Sequence, residues 1–138
     1  MGESFVVDNS VVMSWCFRDE THSYADGVLD CLAEATAYVP SIWPLEVVNV
    51  LLVAERKKRL DEAGSIRFIT LLSQLPIVVE QERPEIMMDL LALARTNKLS
   101  SYDASYLHLS LRRGLPIATL DNRLMEAAKM ANVPLLKV

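Results

Sequence analysis

The sequence predicts an α/β protein of three layers, with a mainly parallel central sheet flanked by helices. Short apolar strands alternate with helix-length segments from one end of the 138-residue chain to the other, the order that βαβ units require. The strands are continuous apolar runs rather than clean alternations, as expected where both faces of a sheet are covered. An apolar content of 51% supplies side chains for one real core.

Phe5-Val6-Val7 is the first strand. Asp8-Asn9-Ser10 ends it with groups suited to capping the short helix that follows from Val11 to Phe17. From Ser23 to Ala35 the apolar positions Ala25, Val28, Leu29 and Leu32 have the period of a one-faced helix. Ala37 to Val39 is a brief strand closed by Pro40. Ser41-Ile42-Trp43-Pro44 starts a helix, since proline is tolerated in a first turn. That helix runs through Glu46, Val47, Val50, Leu51 and Ala54, and Arg56 to Arg59 suit the negative end of its dipole.

Asp61 opens the next helix, carried by Ile66, Ile69, Leu72 and Leu75. Pro76 to Val79 reads as a third strand, and Glu85 to Arg95 as a helix with Ile86, Leu90, Leu91 and Ala94 inward. Ser100 or Ser101 caps a helix from Tyr102 to Arg113 whose apolar side carries Ala104, Leu107 and Leu111, and Gly114 stops it. Pro116 to Leu120 is the fourth strand, Asn122 to Met130 the last full helix, and Val133 to Leu136 a final strand. No repeat, low-complexity segment or long linker divides the chain, so residues 1–138 are expected to form one domain.

The formal charge is -4, which argues against a broad electrostatic footprint for nucleic acid. Setting aside the four acids proposed below leaves the remaining charges balanced. Cys16 and Cys31 form no Cys-x-x-Cys pair and read as buried small hydrophobes. With no charged, apolar and cleavable leader, and no apolar run near the roughly 20 residues of a membrane span, a reduced, cytoplasmic protein is expected.

In such a sheet, sites collect beyond the carboxyl ends of the strands. Asp8 follows the first strand and Asp121 the fourth; Glu46 and Asp103 lie in the first turns of helices. If the first and fourth strands are neighbours, all four acids can meet in one pocket. They would repel, and the simplest relief is a bound cation. All-oxygen ligation matches Mg or Mn, and the absence of a cysteine or histidine cluster disfavours zinc. Each acid also has an ordinary explanation. Asp8, Asp103 and Asp121 suit helix starts, and Glu46 is equally at home on the exposed side of an amphipathic helix. The set carries the argument, not any one member.

Four segments have a familiar arrangement: Phe5 to Ser10 (FVVDNS), Pro44 to Asn49 (PLEVVN), Tyr102 to Leu107 (YDASYL) and Pro116 to Leu124 (PIATLDNRL). Together they resemble the signature blocks of the PIN domain, in particular the VapC-like toxins of prokaryotic toxin–antitoxin pairs, over essentially the whole chain. The resemblance implies a PIN-like fold and a metal-dependent endoribonuclease, with Asp8, Glu46, Asp103 and Asp121 as the acidic quartet binding Mg or Mn. It implies hydrolysis of RNA phosphodiesters by metal-activated water, and Thr119 as the hydroxyl residue that orients a carboxylate or a metal-bound water. Asn9 and Asn122 adjoin the quartet and are placed to add an amide contact. His22 and His108 read as structural or surface residues. Arg18, Arg112, Arg113 and Arg123 are candidates for phosphate contacts, or else solvated charges.

The resemblance further implies a homodimer and inhibition by a cognate antitoxin. The apolar surplus in Trp43 to Leu60 and Ser65 to Leu75 fits either a partner surface or a deep two-sided core. Three rivals stand beside this reading. One is a PIN-like nuclease of RNA processing or decay. A second is a response-regulator-like domain, disfavoured because a single Asp8 stands where an acidic pair belongs. The third is a silent RNA- or protein-binding module, disfavoured by the intact quartet.

Overall fold

The computed structural model describes residues 3–17, 19 and 22–138. Its sheet is wholly parallel, in the order β3-β2-β1-β4, where β1 is Phe5–Val7, β2 Ala37–Pro40, β3 Ile77–Glu80 and β4 Ile117–Ala118. All three residues of β1 are completely buried, so helices cover both faces at the centre. Between β1 and β2 run α1 (Asn9–Cys16) and α2 (Ser23–Cys31); between β2 and β3, α3 (Trp43–Arg56) and α4 (Glu62–Ser73). Between β3 and β4 run α5 (Met87–Asn97) and α6 (Ser101–Arg113), and α7 (Asn122–Met130) follows β4. Helix α6 packs across β2, β1 and β4 and touches both α5 and α7, while α1 packs on α2 and α3. The predicted α/β class, with a parallel sheet flanked by helices, is therefore observed.

Local chemistry sets most boundaries. Asp61 caps α4, its Oδ1 accepting the Gly64 N–H at 2.7 Å, and Ser100 caps α6 through the Asp103 N–H at 3.1 Å. Gly114 ends α6 with φ 66°, a conformation other residues adopt at a cost.

Several expectations are corrected. The final strand is a single bridge from Leu135 to Ile117, because Pro134 lacks an N–H and interrupts the ladder. Helix α2 stops at Cys31, short of Ala35, and a single 3-10 turn at Pro84–Ile86 precedes α5. On α4 the inward stripe is Ser65, Phe68 and Leu72, whereas Ile66 and Ile69 are exposed. Both stripes have helical spacing, and burying the aromatic ring removes the larger apolar area from water. No residue of α5 is fully buried, and Leu91 is exposed. On α6, Ala104 and Leu107 are buried as expected, joined by Tyr106 and Leu109, but Leu111 is exposed. Leu45, Val48 and Leu52 on α3 are also exposed, so the apolar surplus there is not absorbed by a deep core. Cys16 and Cys31 are free and half-buried rather than buried.

The strand order places the site. The chain moves from β1 to β2 to β3 on one side, then crosses to β4 on the other side of β1. The carboxyl ends of β1 and β4 thus form the switch point where such sheets bind ligands. Val7 pairs with Ala118, and the Asp8 N–H donates to the Ala118 carbonyl at 2.9 Å.

Candidate metal centre

Asp8 occupies the N-cap position of α1, yet its side chain makes no cap hydrogen bond. The carboxylate turns instead toward β4. Its Oδ2 accepts the Ser10 hydroxyl at 2.7 Å and the Thr119 hydroxyl at 2.8 Å. Each hydroxyl also accepts a backbone N–H: Leu120 donates to Ser10 at 2.9 Å, and Asp121 to Thr119 at 3.0 Å. The ends of β1 and β4 are therefore tied by two N–H to O–H to carboxylate relays that meet on one oxygen. Asp8 is 6% exposed. Burial raises its pKa, and the charge of Asp121 adds to this; Ser10, Thr119 and the Asn9 backbone work in the opposite direction.

Glu46 sits in the first turn of α3 and is half-buried, facing inward rather than out to solvent. The hydroxyl of Tyr106, a fully buried residue of α6, donates to its Oε1 at 2.5 Å. Burial raises the Glu46 pKa, with further upward pressure from Asp8 and Asp103; the Tyr106 hydrogen bond lowers it. Asp103 lies in the first turn of α6 and is likewise raised, by burial first and then by the charges of Asp8 and Asp121. Asp121 does cap α7, its Oδ1 accepting the Leu124 N–H at 3.0 Å. Capping and membership of the acid cluster are compatible for this residue.

All four acids fall at the N-terminal ends of helices: α1, α3, α6 and α7. The partial positive charge of those ends favours carboxylates there. Among the described residues, no three His, Cys, Asp or Glu side chains stand ready to grip one ion directly. Magnesium gives up its waters reluctantly and is held by one or two carboxylates with several waters retained. The donor set is all oxygen, its charges bear on one another, and the Asn9 amide oxygen beside Asp8 is buried without a hydrogen-bond partner. The residues present fit a hydrated divalent ion.

Two residues of this cluster were not singled out from the sequence. Tyr106 stands three positions after Asp103 and so shares its helix face, a spacing that places a hydroxyl beside the acids. Ser10, in the sequence, is no more than part of a capping segment. The histidines take no part: His22 caps α2 through the Tyr24 N–H, and His108 lies elsewhere along α6, its pKa lowered by burial and by Arg112. Arg113 pairs with Glu80 and stacks on Tyr38 at 4.3 Å, so it is a structural cation rather than a phosphate contact. Arg18 lies outside the described residues. Asn122 and Arg123 line a groove along α5, α6 and α7 that does not enclose the acids.

Residues 5–130, a span containing all four acids, match the PIN domain. The chain belongs to the PIN-domain family. PIN domains are typically nucleases and generally bind divalent metals. Three solved structures are similar in fold. PAE2754 from Pyrobaculum aerophilum is 23% identical with a TM-score of 0.69, covering 92% of this chain and 87% of that one. A toxin–antitoxin complex from Klebsiella pneumoniae is 17% identical at TM-score 0.60, with 85% and 86% covered. FitAcB from Neisseria gonorrhoeae is 19% identical at TM-score 0.63, with 96% of each chain covered. None of the curated proteins compared matches the sequence.

Two predictions arise from this geometry. Asp8, Glu46 and Asp103 all have folded-state pKa values raised from their ordinary values, by burial first. Such groups bind protons more tightly in the folded state. Their contribution to stability is full below the ordinary range and is lost as pH rises through the raised values. Added Mg is therefore expected to raise the unfolding temperature more at about pH 7.5 than at about pH 5, because protons compete with the ion for the same carboxylates as pH falls. Thermal unfolding with and without the ion at both pH values checks this.

Tyr106→Phe is expected to lower stability by about 1–2 kcal/mol, less than a fully buried charged hydrogen bond, because water can partly replace the donor at half-buried Glu46. It is also expected to weaken Mn binding roughly 10-fold, the scale of lost ligand-orienting contacts. Urea unfolding and Mn titration by electron paramagnetic resonance separate the two effects. A changed midpoint with unchanged Mn affinity would make Tyr106 a packing residue only.

Proposed function

We propose that residues 1–138 form a single PIN domain that acts as an Mg- or Mn-dependent endoribonuclease, the cytoplasmic toxin of a toxin–antitoxin pair. The observation that carries this is the meeting of Asp8, Glu46, Asp103 and Asp121 at the switch point of the sheet, within the span that matches the PIN domain. These four would hold the ion. When bound, it supplies a Lewis acid that makes water a competent nucleophile at neutral pH and balances charge developing on the phosphate.

The chain's own residues prepare that site. Ser10 and Thr119 hold Asp8 by one oxygen, which keeps the other out of the hydroxyl relay. Tyr106 holds Glu46 by one oxygen in the same way, and the cap bond does so for Asp121. Carboxylates pinned at one atom keep their orientation when an ion arrives, so little ordering remains to oppose binding. Ser10 is committed as donor and acceptor, which makes it a positioning group rather than a nucleophile. Hydrolysis proceeds without a covalent enzyme intermediate.

Protein partners are part of the proposal, a cognate antitoxin and a second copy of the chain. The exposed Leu45, Val48 and Leu52 on α3 and Ile66 and Ile69 on α4 support it, as does the likeness to a toxin–antitoxin complex.

The test is incubation of antitoxin-free protein with total RNA and Mg or Mn, beside a chelated sample. Discrete fragments that disappear on chelation are expected. Intact RNA at every metal concentration, or cleavage indifferent to the chelator, would count against the reading.

A further inference from the structure

A groove of about 1490 Å³ runs along α5, α6 and α7. Its charge is unevenly distributed. Helices α5 and α6 are joined by only Lys98 to Ser100, so the C-terminal end of α5 lies beside the first turn of α6, which carries Asp103. Lys98 and Asn97 line the groove at that end, the Asn97 amide already giving one hydrogen to the Leu93 carbonyl at 2.9 Å and keeping the other. Arg123 and Asn122 line it from the first turn of α7, directly after Asp121. The charge of Arg123 is felt by Asp103. The acids of α5 that line the groove, Glu85 and Asp89, lie toward the opposite end of the helix, where it begins. The end that adjoins the acid cluster thus presents Lys98, Arg123 and two amides, with Glu126 one turn beyond Arg123 paired to Lys129, whereas at the other end Arg112 offsets Glu85 and Asp89. Neither Lys98 nor Arg123 makes an ion pair with any described residue. Arg113, which does, faces away from the groove toward Glu80.

We infer that Lys98 and Arg123, with the Asn97 and Asn122 amides, form a subsite for a phosphodiester flanking the scissile one, seating single-stranded RNA against the acid cluster. This rests on the nuclease reading for the identity of the ligand, but not for its own test. A chain of net charge -4 offers a polyanion little general attraction. A cationic entrance beside a metal site supplies what the overall charge withholds. Arg presents a planar fork suited to phosphate, Lys a mobile point charge, and the amides add donors that carry no sequence preference.

The probe is a short fluorescein-labelled single-stranded RNA, bound to Asp8→Asn protein in Mg so that cleavage does not consume it, with anisotropy read across a salt series. Arg123→Ala and Lys98→Ala, each added to that background, are expected to weaken binding roughly 3- to 10-fold and to reduce the salt slope by about one each. Lys57→Ala is the control. It lies at the far end of α3, about 16 Å along the axis from Glu46, and should leave both quantities unchanged.

Unchanged affinity and slope in both variants would overturn the subsite. So would an equal loss from Lys57→Ala, which would show diffuse attraction only. A change in oligomeric state on light scattering would also overturn it, because the groove would then be a contact between protein chains. If the wild-type protein fails to cut RNA yet binding depends on Lys98 and Arg123, the subsite stands and the nuclease reading falls. If RNA is cut but both variants bind normally, the reverse holds.

Discussion

Asp8→Asn is expected to lower metal-dependent RNA cleavage by roughly 10³-fold and, in the same protein, to raise stability when metal is absent. The first effect follows from its position. A metal that loses an anionic ligand loses part of its affinity and placement. Several kcal/mol of transition-state stabilisation, at 1.36 kcal/mol per decade, correspond to about that factor. The second effect follows from burial. Asp8 is 6% exposed and its pKa is raised chiefly by desolvation, so its charge opposes folding at neutral pH.

Asparagine keeps an oxygen for the Ser10 and Thr119 hydroxyls and removes the charge. Its amide hydrogens would enter a cluster of three remaining carboxylates, where donors are welcome. Initial cleavage rates in Mn, together with thermal unfolding in chelator at about pH 7.5, measure the two effects. Cleavage within a few-fold of wild type would remove Asp8 from the site. A loss of stability in chelator would show that its carboxylate is a structural asset rather than a strained group.

Thr119→Val is expected to give the larger stability loss. Valine matches threonine in shape, so packing changes little and the effect isolates the hydroxyl. That hydroxyl is 3% exposed through its residue, donates to Asp8 and accepts from Asp121. Its removal leaves an N–H and a carboxylate each short of one partner, which costs about 2–4 kcal/mol. For a chain of this size the unfolding temperature should fall by roughly 10 °C. Metal affinity should fall about 10- to 100-fold, because Ser10 alone then orients the Asp8 oxygen.

Thr119→Ser restores the hydroxyl at the cost of one methyl group, about 1 kcal/mol. It should recover the Mn affinity while remaining slightly less stable. If valine and serine variants bind Mn equally well, the hydroxyl has no part in holding the acid.

The tyrosine and the second hydroxyl show why part of the site escaped the sequence. Glu46 and Tyr106 are 60 positions apart, and their contact depends on α3 and α6 meeting over the sheet. Ser10 reaches Leu120 across 110 positions, through the pairing of β1 with β4. Nothing in either local segment announces such a partner. A serine two residues after Asp8 and a tyrosine among apolar residues each have sufficient local explanations. The basic residues divide in the same way. Arg112 and Arg113 are neighbours at a helix end and indistinguishable in the chain, yet one lines the groove and the other is bound to Glu80 and Tyr38.

The sequence by itself determined the alternation of strands and helices, the helix starts at Asp61 and at Ser100 or Ser101, the stop at Gly114, and the positions of Asp8, Glu46, Asp103 and Asp121 at strand ends and helix starts. These depend on local physics: apolar runs, first-turn chemistry and the glycine conformation act within a few residues. Tertiary structure alone decided that β1 and β4 are neighbours, which brings the four acids together, and that Tyr106 and Ser10 join Thr119 in hydrogen-bonding them. It also chose Phe68 over Ile66 and Ile69 as the inward face of α4. Such choices rest on the competition among surfaces distant in the chain to leave water and satisfy buried polar groups. That competition leaves no periodic trace in any one segment.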